Sequence, residues 1–207
     1  IEYATLREYI RPNVNKVIWL YYEENDLSNL IAELKDEILK NYLNDNKFSQ
    51  NLKNRQDEVN KIASKKLENA KFNIDENNQE KQLLFKFSQF LKIFNLRNSL
   101  KNKYPIIEFK KILILAKNLT KKNGAKFYFV YLPEYARYAQ PNFDSKYYLE
   151  IKKIVNELEI PFIDVHKEVF LKENNPLELF PFKLYGHYTP EAYKKVSEII
   201  FKKSLSN

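Results

Sequence analysis

Three short, nearly continuous apolar runs alternate with longer segments in which apolar residues recur every three or four positions. The first run is Val14 to Tyr22, the second Lys126 to Leu132 and the third Ile160 to Val165. Runs of this length and content predict buried strands of a parallel sheet. Between them, Ile1 to Ile10 reads as a helix closed by Arg11 and Pro12. Leu27, Leu30, Ile31, Leu34 and Ile38 mark a second helix, with Asp26 as its N-cap. Pro105 opens another, whose face carries Phe109, Ile112, Leu113, Ala116 and Leu119 and which Asn123-Gly124 closes. Tyr147, Ile151, Ile154, Val155 and Leu158 follow at the same spacing. The last helix runs from Pro190 to about Lys203, with Thr189 as N-cap and Ala192, Tyr193, Val196, Ile199 and Ile200 inward. Strands and helices in this alternation predict an α/β fold: a parallel sheet covered by helices on both faces, with sites at the carboxyl ends of the strands.

From about Asn41 to Asn102 the pattern changes to a polar stretch rich in Asn, Lys and Glu. Helical spacing returns around Leu52 to Ala70 and again over Gln79 to Leu100, the latter with Leu83, Leu84, Phe87, Phe90, Leu91 and Phe94 on one stripe. Such a stripe reads as core or lid. Residues 41–104 are therefore expected to form a helical insertion within one domain spanning 1–207. Pro133 breaks the second strand, and a loop with Tyr135, Tyr138 and Pro141 follows.

Composition narrows the function classes. At 44% hydrophobic and 30% charged, the chain has the balance of a folded domain. The absence of Cys excludes a disulfide framework, a thiolate zinc site and a cysteine nucleophile. The net charge is +8, from 35 basic and 27 acidic residues, but the lysines are interleaved with glutamates, as in Lys194, Lys195 and Glu198. That patterning fits a solvated surface, and with no nucleic-acid motif or basic stripe no nucleic-acid partner is expected. Lys, Asn, Ile, Phe and Tyr in abundance with only two Gly also follow from AT-rich coding. No apolar run approaches the roughly 18 residues of a membrane span. The start at Ile1 in a chain without Met suggests a fragment with its true N-terminus upstream, where a signal or anchor can lie, so the compartment stays open.

Two polar positions at element junctions carry the candidate chemistry. Asn25 sits where the first strand hands over to a helix, and its amide can donate hydrogen bonds toward a developing negative charge. The competing reading is a cap or turn Asn. The second is Tyr185-Gly186-His187-Tyr188-Thr189-Pro190-Glu191. With Gly so scarce, Gly186 answers a backbone demand, either a positive φ or a close approach. The turn can hold His187 in place with its imidazole available as a general base. His166, after the third strand, lacks such a setting and reads as structural.

The blocks Glu23-Glu24-Asn25-Asp26, Phe127-Tyr128-Phe129-Val130-Tyr131-Leu132-Pro133, Ile160-Pro161-Phe162-Ile163-Asp164-Val165 and Gly186-His187-Tyr188-Thr189-Pro190-Glu191-Ala192-Tyr193 resemble, in order, those of the SGNH/GDSL hydrolases. The resemblance covers nearly all of the chain outside the helical insertion. It implies a three-layer α/β/α sandwich of flavodoxin-like type, with the first strand or strands missing. Glu23-Glu24-Asn25-Asp26 matches the family's Gly-x-Asn-Asp block, with Glu23 where Gly is usual, and makes Asn25 an oxyanion-hole donor. His187 matches the catalytic His that takes the proton from a nucleophilic Ser. The Gly-Asp-Ser block with that Ser, and the following Gly block, precede the Asn block in the family and are not in these residues. The family's Asp two or three residues before the His is also absent, since Leu184 and Tyr185 stand there. A Ser-His dyad oriented by a backbone carbonyl is then implied.

The expected function is ester hydrolysis, or acetyl transfer to a sugar hydroxyl, through a serine acyl-enzyme, with a small-molecule or carbohydrate ester as partner and no metal or organic cofactor. The aromatic loop from Tyr131 to Phe143 can wall an acyl or carbohydrate pocket, or can be ordinary core. The alternative is a catalytically degenerate SGNH-like binding or scaffold protein.

Overall fold

The computed structural model describes residues 1–75 and 104–205. Three parallel strands, β1 (Lys16–Tyr22), β2 (Lys126–Leu132) and β3 (Phe162–Asp164), form a sheet in the order β1-β2-β3. Trp19 lies opposite Phe129, Tyr22 opposite Leu132, and Val130 opposite Ile163. The helices that matter for the site are α1 (Glu2–Tyr9), α2 (Asp26–Glu33), α3 (Glu37–Asn44), α4 (Gln56–Asp75), α5 (Ile106–Lys122), a single turn α6 (Ala136–Ala139), α7 (Lys146–Glu157), a second single turn α8 (Val165–Glu168), and α9 (Pro190–Leu205). The α/β class with a parallel sheet is therefore present.

The chain divides into two compact units, Ile1–Asn46 with Pro105–Asn207, and Lys47–Tyr104. The first holds the sheet and also Asn41 to Asn46, because Tyr42 at the end of α3 is buried there. In the second, Asn51 takes a left-handed conformation ahead of a 3-10 turn at Leu52–Arg55, and α4 continues to Asp75. The predicted helix over Leu52 to Ala70 thus begins with that turn. The apolar stripe within Gln79 to Leu100 lies outside the described residues.

β2 is central and buried on both faces. On one, Phe129 and Tyr131 stack with Tyr21 at 5.6 and 5.5 Å between ring centroids. Phe109 of α5 meets Tyr21 edge-on, and Tyr148 of α7 meets Tyr131. On the other, Tyr128 and Val130 pack in one cluster with Ile163, Phe170, Phe180 and with Ala192 and Val196 of α9. Burying each such side chain fully contributes about 1.5–3 kcal/mol. β1 shares only part of this cover. Ile18 and Leu20, paired with Tyr128 and Val130, remain 40% and 52% exposed.

Local chemistry sets the boundaries. The predicted helix from Leu27 through Ile38 breaks after Glu33, because Asp36 caps a new one by accepting from the Leu39 N–H at 3.0 Å. Asp26 is not the N-cap of α2. Asn25 holds that position, and the Asp26 carboxylate instead accepts from the Tyr22 N–H at 2.9 Å. Gly124 at φ +73° closes α5, as its position after Asn123 predicts. β3 is shorter than Ile160 to Val165. Pro161 has no N–H to give but its carbonyl accepts from Phe129, and Asp164 then caps α8 by accepting from Lys167.

Candidate functional site

The two junctions singled out by residue type meet at the carboxyl ends of β1 and β2. Alternation along β1 puts the Tyr22 side chain on the Tyr128 and Val130 face, toward the segment that leads into α9. There the Tyr22 ring lies 5.4 Å from the His187 ring, tilted by 34°. The Tyr22 hydroxyl donates to Glu24 Oε2 at 2.9 Å and is 3.4 Å from the Gly186 carbonyl oxygen. Tyr188, buried, donates its hydroxyl to the Pro133 carbonyl at 2.6 Å and so ties the His187 turn to the end of β2. The Thr189 N–H donates to Leu179 O, and Thr189 Oγ1 accepts from the Ala192 N–H at 3.2 Å, capping α9 as predicted.

Gly186 has φ +151°, and a Cβ placed on it would meet no atom within 4 Å. Of the two backbone demands considered, conformation is the one that applies. His187 itself is exposed. Leu184 and Tyr185 beside it are also exposed, and among the described residues no carboxylate hydrogen-bonds its imidazole. Burial raises the Glu24 carboxyl above its ordinary pKa, while the Tyr22 hydrogen bond and His187 pull it back.

Asn25 is half-buried, with φ −132° and ψ −16°. Its carbonyl accepts from the Asn29 N–H at 2.7 Å and the Ser28 hydroxyl at 2.8 Å, which starts α2. Its side chain makes no capping bond, so the amide is not used to hold the helix.

Behind these two turns lies a buried polar network that sequence reasoning missed. Glu23 pairs with Arg137 of α6. The guanidinium Nε donates to Glu23 Oε2 at 2.8 Å, Nη2 contacts Oε1, and both side chains are under a tenth exposed. Arg137 Nη2 also donates to the Tyr131 hydroxyl at 3.3 Å, and its guanidinium lies over the Phe143 and Tyr148 rings. Burial disfavours the guanidinium cation, but the Glu23 hydrogen bond and charge outweigh it and raise its pKa. The Glu134 N–H donates to Glu23 Oε2 at 3.1 Å. Burial, with Glu23 and Glu24 adding to it, raises the Glu134 carboxyl to about 7. The signal was Glu23 itself, an acid at the end of an apolar strand, which reads as a solvated charge until Arg137 is found opposite it.

His166 has a structural setting. Its Nδ1 lies 2.8 Å from the Tyr138 hydroxyl, its ring meets Tyr148 edge-on, and burial followed by Arg137 lowers its pKa. Two aromatics of the loop, Tyr135 and Tyr138, are half-buried and pack against the core. Tyr138 stacks on Phe170 at 5.1 Å, and Tyr135 donates its hydroxyl to Lys183 O. A cavity of about 40 Å³ bordered by Trp19, Leu30 and Asp26 touches neither Asn25 nor His187. Among the described residues, no three His, Asp or Glu gather as a metal site, and no helix is long and apolar enough to cross a membrane. Comparison with protein-family models, with curated proteins and with solved structures returns no match to this chain.

Proposed function

We propose that this chain carries the Asn and His of an SGNH-type ester hydrolase, built on a flavodoxin-like α/β/α sandwich, with the nucleophilic serine on chain preceding Ile1. The observation that carries the reading is the meeting of the Asn25 turn and the Gly186-His187 turn at neighbouring strand ends, with Tyr22 packed against His187. Sites in parallel α/β sheets form at that rim. The open side of β1 adds support. No strand among the described residues pairs with its outer edge, and Ile18 and Leu20 beside it are exposed. A strand bearing the serine, placed there, would bring the hydroxyl to the same rim.

In this mechanism His187 takes the serine hydroxyl proton as the oxygen attacks an ester carbonyl. The Asn25 amide, which the helix does not use, donates to the oxyanion. The imidazolium then returns its proton to the departing alkoxide, and water repeats the sequence on the acyl-enzyme. A sugar hydroxyl in place of water gives acetyl transfer. One observation favours the second reading, a catalytically degenerate binding or scaffold protein: His187 is exposed and, among the described residues, no carboxylate hydrogen-bonds it. The test is made on the full-length protein, with p-nitrophenyl acetate and a fluorophosphonate label. The wild type hydrolyses and labels, and His187→Ala loses both. Equal rates in the two proteins would reject the catalytic role.

A further inference from the structure

We infer that Tyr22 is a positioning residue for His187, and that Glu24, held by the Tyr22 hydroxyl, supplies the carboxylate that Leu184 and Tyr185 do not. The inference rests on the hydrolase reading and deepens it. An exposed histidine on a turn has no fixed ring orientation unless something packs on the ring or hydrogen-bonds it. Here the packing comes from across the site. Tyr22 ends β1, and three of its parts reach three different pieces of the rim. Its backbone N–H donates to Asp26 and closes the turn that carries Asn25. Its hydroxyl donates to Glu24 Oε2 and approaches the Gly186 carbonyl. Its ring lies against the His187 imidazole.

Tyr22 is itself held. Tyr188 meets its ring edge-on at 6.3 Å, and Tyr188 is anchored to Pro133. Burial, then the charge and hydrogen bond of Glu24, raise the Tyr22 pKa, so the hydroxyl remains a donor throughout the working range of an esterase. The bond it donates holds the Glu24 carboxylate at the hydroxyl of the same ring that packs on His187, beside the Gly186 carbonyl. When His187 accepts the serine proton, the new imidazolium forms against the ring whose hydroxyl already holds that acid. This is the electrostatic part of the duty of a triad carboxylate, performed from the Asn block instead of from the His block.

The experiment compares Glu24→Gln, Tyr22→Phe, Tyr22→Leu and the double variant Tyr22→Phe/Glu24→Gln in the full-length protein, measuring kcat and KM separately. Glu24→Gln should lower kcat about tenfold or more with KM little changed, well short of the ~10⁴-fold loss seen on neutralising a buried triad carboxylate. Tyr22→Phe should match it, and the double variant should be no slower than either, because both remove the same interaction. Tyr22→Leu, which also removes the ring, should be slowest. Wild-type kcat in Glu24→Gln and Tyr22→Leu, beside an inactive His187→Ala, would overturn this inference and leave the hydrolase reading intact. An inactive wild type would instead overturn the hydrolase reading. Positioning has its own readout in either case. The wild type should show NOEs between the Tyr22 and His187 rings, and their absence would overturn the inference regardless of activity.

Discussion

Glu23 and Arg137 form a buried ion pair that locks the end of β1 to the loop leaving β2, directly behind the Asn25 turn. The loop gains its second anchor from the Glu134 N–H on the same carboxylate. A buried charge that loses its partner is far more costly than the intact pair is favourable, typically about 3–5 kcal/mol. Arg137→Met should therefore destabilise by that amount in urea unfolding, and Glu23→Leu by a similar one. The double variant should recover much of the loss, because it removes both charges and leaves apolar side chains among Phe143 and Tyr148. Two single variants each costing under about 1 kcal/mol would show the pair to be solvated in solution.

The unused Asn25 amide separates its two readings cleanly. A capping Asn loses about 1 kcal/mol on replacement by Ala. Because the side chain accepts no bond from α2, Asn25→Ala should lower stability by only a few tenths of a kcal/mol. On the proposed hydrolase reading, the same change should lower kcat by about 10²- to 10³-fold, as loss of one oxyanion donor does. Unfolding and turnover measured on one preparation distinguish the outcomes. A stability loss above about 1 kcal/mol with turnover unchanged would return Asn25 to the turn.

How much of this was legible depended on whether the deciding interaction was local. The three strands were readable because Val17 to Tyr22, Phe127 to Leu132 and Phe162 to Asp164 are apolar almost without interruption, a pattern that suits the doubly covered β2 best. Thr189 and Gly124 were readable because a cap and a positive φ depend on one or two neighbours. The break between α2 and α3 was not, since Leu27 to Ile38 keeps helical spacing straight through it and Asp36 looks like any surface acid until it caps. The same held for Glu23 and Arg137. Each alone resembles a solvated charge, and only the parallel pairing of β1 with β2 brings them together. His187 and Asn25 were singled out by residue type and block order, whereas Tyr22, which touches both turns, was indistinguishable from a strand aromatic.

Tyr188 offers a test of how firmly the His187 turn is held. Its ring packs against Phe170 and Phe180 at 5.0 and 5.5 Å, and only its hydroxyl reaches Pro133. Tyr188→Phe keeps the packing and leaves the Pro133 carbonyl without that donor. Loss of one buried hydrogen-bond partner costs about 1–3 kcal/mol. The expected result is destabilisation within that range, read from urea unfolding with an unchanged m-value. A variant as stable as the wild type would mean that water replaces the hydroxyl and that the turn is held by ring packing alone.

The carboxyl of Glu134 gives the stability a pH dependence of defined sign. It faces Glu23, Glu24 and Arg137, and burial with the two acids raises its folded pKa to about 7, above the ordinary value of 4.5. Between those values the folded protein binds a proton that the unfolded chain has released. Stability from this group is therefore greatest at low pH and is lost as pH rises from near 4.5 through about 7, by at most about 3 kcal/mol. Asp26, also raised to about 7 by burial, adds a slope of the same sign, and His166, lowered by burial, adds one of opposite sign. Comparison with Glu134→Gln isolates the single group, because Gln mimics the protonated carboxyl at every pH. At pH 5 the variant and the wild type should unfold at nearly the same urea concentration, and by pH 8 the variant should be the more stable. Parallel profiles across that range would mean that Glu134 stays ionised in the fold and that the acids around Arg137 are better solvated than their burial implies.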